Sequence, residues 1–269
     1  FADQADVSVN SRLAGDKVGA TKMDRPEWGA VNPATGEVYI ALTNNSNRGS
    51  GAQPADAPNP RVYTDIKGVS TVQSGNVNGH IIRIKEDGNE PTATTFTWDI
   101  YLFGAEAGAG SAINLSSLSN DQDFSSPDGL VFTPSNNLCW IQTDDGAYAD
   151  VTNCMMLAAL PGQVGDGGAV TVAGTGVTTQ RGKLPTEDTL KRFLVGPSAC
   201  EITGLCETPD GKTIFVNIQH PGESTKMADI GDPAKYTSHW PGNAGYGAGG
   251  AMARPRSATI VITRNDGGV

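Results

Sequence analysis

The sequence lacks any run of about twenty apolar residues, the length that a membrane-crossing helix requires. Basic residues are also few, with 19 Lys and Arg against 29 Asp and Glu, and the formal net charge of −10 argues against nucleic acid or an anionic membrane as the partner. The four cysteines show no CxxC spacing, which argues against a zinc ribbon. HExxH, EF-hand and Ser-centred elbow motifs are absent, so zinc proteases and serine hydrolases lack support.

Long stretches with helical periodicity are scarce as well. The best of them covers residues 186–193, for which we predict one short helix with Thr186 as its N-cap. Elsewhere 34 glycines and 16 prolines separate short apolar runs, a pattern typical of an all-β protein. The first 23 residues are polar and are interpreted as a leading segment rather than a strand.

Three segments of the sequence are imperfect copies of one another. Each is predicted to be a β-hairpin whose four-residue turn begins at a proline, and each carries a carboxylate at the start of its first strand. The turns are predicted at residues 33–36, 134–137 and 209–212. Antiparallel pairing across such turns is expected to place Glu27 opposite Leu42, Asp128 opposite Thr143, and Glu201 opposite His220.

The repetition of these hairpins has a consequence for the acidic residues. Diverged β repeats are typical of β-propellers, in which the first strand of each blade lines a central channel. Glu27, Asp128 and Glu201 are therefore expected to meet at one end of the channel. Because several carboxylates in one site cannot all stay ionised without cations, the pattern predicts that metal ions are central to the protein.

Five strings in the sequence, in this order, resemble the PhoX-type alkaline phosphatases. They are residues 19–27 (GATKMDRPE), 77–84 (VNGHIIRI), 126–130 (SPDGL), 201–204 (EITG) and 217–223 (NIQHPGE). The resemblance covers nearly the whole chain, but only the C-terminal portion of such a phosphatase domain. It implies the C-terminal blades of a six-bladed propeller over residues 1–269, with residues 1–23 leading into it.

The same resemblance implies an activity and its cofactors. Phosphomonoesters would be hydrolysed with release of inorganic phosphate, with Ca²⁺ and Fe³⁺ as cofactors, in the periplasm or outside the cell, where such enzymes serve phosphate acquisition. In that family the ions are held by carboxylates and by a cysteine, and no cysteine of this chain corresponds to that ligand. The partners expected are a small phosphomonoester and either the missing N-terminal half of the propeller or a second copy of the chain.

The resemblance also assigns roles to individual residues. Glu27 becomes a metal ligand with a catalytic role, and Arg25 a catalytic phosphate contact, which suits a guanidinium that can hold two phosphate oxygens. Asp128 and Glu201 become further metal ligands, as hard cations prefer carboxylate oxygens. The alternatives are structural: a surface ion pair for Arg25 and Glu27, a turn residue for Asp128, and a polar strand start for Glu201.

Four more residues are possible members of the site. Asp144 follows the second strand of its hairpin, and His220 is expected near Glu201, where an imidazole can bind a metal or orient a ligand. Asp121 and Asp123 could replace Asp128 if the preceding loop differs in length. A solvated turn for Asp144 and a turn-stabilising role for His220 are equally compatible with the sequence.

Two other functions fit these observations. The first is a calcium-dependent lactonase or esterase on a propeller, which would also place acidic residues at the starts of inner strands. The second is a non-catalytic partial propeller that acts as a binding module. The sequence around Arg25 and Glu27 favours phosphate as the group bound.

Overall fold

The computed structural model describes residues 1–144, 149–247 and 249–267. The leading segment contains two short helices, α1 (Gln4–Val9) and α2 (Ser11–Val18). The Asp3 side chain caps α1 by accepting a hydrogen bond from the backbone N–H of Asp6, and α2 ends at Gly19 in the left-handed conformation that glycine favours. Over the described residues, the helices are too short and too polar to cross a bilayer.

After α2, the regular secondary structure of the described residues is β-strand apart from a few single-turn 3-10 helices, which confirms the predicted all-β class. The strands are β1 (Pro26–Val31), β2 (Val38–Leu42), β3 (Tyr63–Lys67), β4 (Thr71–Gly75), β5 (His80–Glu86), β6 (Phe96–Phe103), β7 (Pro127–Phe132), β8 (Cys139–Thr143), β9 (Met155–Ala159), β10 (Ala169–Thr171), β11 (Thr178–Gln180), β12 (Leu190–Val195), β13 (Glu201–Glu207), β14 (Thr213–Gln219) and β15 (Ala258–Thr263).

Three antiparallel sheets follow one another along the chain. The first has the strand order β1-β2-β5-β6, the second β12-β9-β8-β7, and the third β13-β14-β15, with β3-β4 and β10-β11 as separate hairpins. The first strands of the three sheets are neighbours, since β7 contacts both β1 and β13. This order brings the acidic starts of β1, β7 and β13 to the same region.

Two apolar clusters hold the sheets together. Between the first and second sheets Tyr39, Ile81 and Ile141 are fully buried in one continuous cluster. Between the second and third, Met156 and Val216 belong to another cluster. Burial alternates along β14, as expected of a strand with one face on a core.

The predicted register is correct beside each turn and wrong at the acidic ends. Val31 pairs with Val38 as four-residue turns require, but Pro26, not Glu27, lies opposite Leu42. The shift arises because Glu27 and Trp28 together oppose one residue, which is a β-bulge. The same shift occurs in the other hairpins, where the observed pairs are Pro127 with Thr143 and Glu201 with Gln219.

The predicted helix over residues 186–193 is also wrong. Residues 186–189 form a turn, in which the backbone N–H of Thr189 donates to the carbonyl of Thr186, and β12 begins at Leu190. The strand pairs with β9, with Leu190 opposite Ala159. Tertiary pairing with a buried strand outweighs the local helical pattern.

Candidate metal centre

Three carboxylates from two neighbouring sheets converge on one point. An oxygen of Asp128, one of Asp144 and one of Glu201 all lie within 4.8 Å of one another. Asp128 lies at the bulge of β7, Asp144 directly follows β8, and Glu201 begins β13. Oxygen atoms at such separations can share one hard cation. We call Asp128, Asp144 and Glu201 the carboxylate group.

Burial and mutual repulsion act on the acid–base properties of this group. Burial, and then the charges of Glu27 and Asp144, raise the pKa of Asp128 to about 6. Burial, and then the charges of Asp144 and Asp128, raise the pKa of Glu201 to about 7. Both carboxyls therefore ionise at a higher pH than usual, and a bound cation would favour their ionised forms. The donor set thus fits a metal ion.

Arg25 and Glu27 lie beside the carboxylate group. The Nη2 atom of Arg25 is 3.6 Å from Oε1 of Glu27, and its Nη1 donates to Oδ1 of Asn44 at 3.0 Å. Their side chains are 57% and 38% exposed, so both remain open to a ligand. Their charges reach Asp128, since Glu27 raises and Arg25 lowers its pKa. Glu27 itself lies outside the set of oxygens that approach within 4.8 Å.

His220 lies next to Glu201. Its Nε2 is 3.4 Å from Oε2 of Glu201, and its Nδ1 is 2.7 Å from Oε2 of Glu223. Gln219 donates from Nε2 to the same Glu201 oxygen at 2.7 Å. These contacts hold the Glu201 carboxylate in place, so the geometry indicates that His220 positions Glu201.

The structure does not bring Asp121 and Asp123 to the carboxylate group. Asp123 is buried and forms an ion pair with Arg192, and its carboxylate also accepts the backbone N–H of Ala107 at 3.1 Å. Asp121 is exposed, and its backbone carbonyl accepts the N–H of Arg192. Asp123 therefore links the loop before β7 to β12.

Three non-glycine residues next to the site have strained backbones. Arg25, Ser126 and His220 have φ angles of 48°, 51° and 36°. Arg25 and Ser126 occupy equivalent positions, each followed by a proline and an acidic residue, and each carbonyl accepts a backbone N–H from the end of the partner strand. Such strain is concentrated at functional sites, and here it directs Glu27 and Asp128 to the same end of their sheets.

Sequence reasoning overlooked a buried carboxylate next to Arg25 in the chain. Asp24 is fully buried and accepts hydrogen bonds from Nδ2 of Asn45 (2.7 Å), Nε of Arg48 (2.8 Å) and Nδ2 of Asn76 (3.0 Å). A polar position between Met23 and Arg25 gives no sign of burial, because its partners come from distant loops. The only available signal was its place in the string MDRPE.

Asp24→Ala should therefore destabilise the protein by about 3–5 kcal/mol, because Arg48 would be left buried without its partner. Thermal or urea unfolding of the variant measures the loss. Asp16→Ala, at an exposed position on α2, is the control and should change stability little. Equal effects of the two substitutions would contradict an anchoring role for Asp24.

Comparisons with known proteins show the family to which the chain belongs. A sequence profile for the family described as "Alkaline phosphatase PhoX" matches residues 1–222. A solved structure of Pseudomonas fluorescens PhoX, in complex with vanadate as a transition state analogue, is 35% identical and superposes with a TM-score of 0.71. That match covers 100% of this chain and 38% of the Pseudomonas chain, so this chain spans well under half of its length. No curated protein matches.

Proposed function

Because the chain belongs to the PhoX family of alkaline phosphatases, we propose that it forms the metal-binding part of a phosphomonoesterase active site. The observation that carries the proposal is the convergence of Asp128, Asp144 and Glu201 within 4.8 Å, with Arg25 and Glu27 beside them. A cation held by carboxylates next to an exposed guanidinium is an arrangement suited to a phosphate dianion.

The donor atoms suggest which metals bind. The carboxylate group and Glu27 offer only oxygen, which suits Ca²⁺. Cys139, Cys154 and Cys200 are buried, and Cys206 lies five residues along β13 from Glu201, about 17 Å away in an extended strand. Fe³⁺, if it binds, would therefore share these carboxylates with ligands that come from outside the described residues.

Each residue then has a defined task in hydrolysis. When bound, the cations supply charge neutralisation for the phosphate and an activated water. Arg25 is oriented by Asn44 and holds two phosphate oxygens, so that its charge stabilises the transition state. A bond forms between the water oxygen and phosphorus, the phosphorus–oxygen bond to the alcohol breaks, and a water proton passes to the leaving oxygen. Inorganic phosphate and a free alcohol result.

The sheet arrangement supports a partial propeller. The neighbouring strands β1, β7 and β13 have the order expected of inner strands in three successive blades. The outer face of the first sheet carries an open apolar groove of about 450 Å³, lined by Ile40, Ile84 and Trp98 among others. We propose that a further blade, from a longer chain or from a second copy, covers this face. The family resemblance suggests that the protein acts in the periplasm or outside the cell.

Metal removal is the direct test of this function. Phosphate release from 4-nitrophenyl phosphate by the full-length protein should fall to background after treatment with a chelator, and Ca²⁺ should restore it, because the carboxylates cannot bind a phosphate dianion unaided. Metal content is measured by mass spectrometry before and after treatment, and Mg²⁺ is the control cation. Activity that survives complete removal of metal would overturn the proposal.

Hydrolysis of a lactone is the alternative that the same assay can address. Arg25 favours a phosphoryl group, since a lactone carries no charge that a guanidinium could balance. Lactone turnover that exceeds phosphomonoester turnover by the holoprotein would favour the lactonase.

A further inference from the structure

A large polar pocket is lined in part by Arg25. It has a volume of about 750 Å³ and lies between α2, the start of β1 and residues 44–47. Arg12, Lys22 and Arg25 line it, with Asp16 as its single acidic residue. We infer that this pocket binds a second anionic group, a carboxylate or phosphate, on the alcohol part of the substrate; the inference rests on the proposed function.

The charge of the pocket is opposite to that of the whole chain. The formal net charge of the chain is −10, yet three of the four charged residues that line the pocket are basic. Arg12 and Lys22 form no ion pair within the part of the chain that the structure describes. Cations without acidic partners in a concave surface attract anions.

The walls of the pocket are held in place by local structure. Gly19 ends α2, and its backbone N–H donates to the carbonyls of Asp16 and Gly15. This end of the helix determines where the chain leads to Lys22. On the opposite wall Asn45 donates to Oε1 of Gln53 at 2.7 Å, so the Gln53 NH₂ group can donate to a ligand. The pocket thus offers both charge and hydrogen-bond donors, and its volume can accommodate the alcohol part of a substrate.

Arg25 connects the pocket with the metal centre. Its Nη2 atom is 3.6 Å from Oε1 of Glu27, and Arg25 also lines the pocket, whereas Glu27 does not. A phosphoryl group held by Arg25 can therefore extend its alcohol toward Arg12 and Lys22. Substrates whose alcohol carries a further negative group would gain contacts that a neutral alcohol cannot make.

Two substrates with the same carbon skeleton test the inference. Glycerol 2-phosphate has a neutral alcohol, whereas 2-phosphoglycerate carries a carboxylate in place of one hydroxymethyl group. In the full-length holoprotein, Arg12→Gln and Lys22→Gln should each lower kcat/KM for 2-phosphoglycerate relative to glycerol 2-phosphate by about threefold, and together by about tenfold. The difference should shrink at high salt, which screens exposed charges.

Lys17→Gln is the matched control, because Lys17 is exposed, follows Arg12 on α2 and does not line the pocket. It removes the same charge and should leave the ratio unchanged. An unchanged ratio in the double variant, or an equal fall with Lys17→Gln, would overturn the inference while glycerol 2-phosphate is still hydrolysed. Failure of the unaltered protein to hydrolyse either substrate would instead overturn the proposed function.

Discussion

Asp128→Asn should lower phosphomonoester hydrolysis by the full-length protein more than about 100-fold, beyond the 10- to 100-fold typical of residues that only support a metal ligand. The same substitution should make the metal-free protein more stable. Both results follow from one cause, since Asp128 is held among other carboxylates, where its ionised form is unfavourable unless a cation is bound.

The pH dependence of the metal-free protein follows from the raised pKa values. In the unfolded chain these carboxyls ionise near pH 4, whereas in the folded protein Asp128 and Glu201 keep their protons until about pH 6 and 7. The folded state binds more protons over this interval, so the free energy of unfolding should fall as the pH rises from about 4 to about 7. Bound Ca²⁺ should reverse the loss.

Melting temperatures measured from pH 4 to pH 8, with and without Ca²⁺, check this result. Above pH 7 the metal-free Asp128→Asn protein should melt about 2–4 °C higher than the unaltered protein, with no difference near pH 4. Asp188→Asn, at an exposed site outside the carboxylate group, is the control and should change neither activity nor stability. A metal-free Asp128→Asn protein that is less stable at pH 8 would show that Asp128 is structural.

Arg25→Ala should lower kcat for phosphomonoesters about 100- to 1,000-fold, as expected when one preorganised donor to the transition state is removed. Arg25→Lys should recover only part of the activity, because an ammonium group cannot hold two phosphate oxygens in a planar fork. Steady-state kinetics with 4-nitrophenyl phosphate measure both variants, and metal content should remain that of the unaltered protein.

A closely matched control for Arg25 exists near the end of the described chain. Arg264 is exposed to the same degree and pairs with Asp266 two residues later, as Arg25 does with Glu27. Arg264→Ala should leave kcat unchanged. If Arg25→Ala raised only KM, Arg25 would contribute to ground-state binding rather than to the transition state.

The hairpins could be predicted because their information is local. Proline-led turns and alternating residues predict the residue pairs next to each turn, and the pairing of Val31 with Val38 follows this prediction. The bulges could not be predicted, since the alternation of polar and apolar residues around Glu27 and Trp28 does not reveal an extra residue. The buried contacts of Asp24 were equally out of reach, because Arg48 and Asn76 join it only through the folded loops.

Convergence of the acidic residues was predictable in outline only. Repetition of the hairpins indicated that Asp128 and Glu201 would lie at one end, and the structure places them together. Asp144 was equally well explained as a solvated turn residue, and only the contact between β8 and β13 in the folded chain brings it to Glu201. Asp123 was a possible replacement for Asp128, but it pairs with Arg192, which belongs to a strand that was predicted as a helix.

The third sheet differs from the others in having three strands instead of four. Among the described residues β15 pairs only with β14, so its outer edge presents unsatisfied N–H and C=O groups to solvent. An open edge of this kind is a template for any extended peptide. We therefore expect residues 1–269 expressed alone to aggregate through β15, unless a strand supplied in trans completes the sheet.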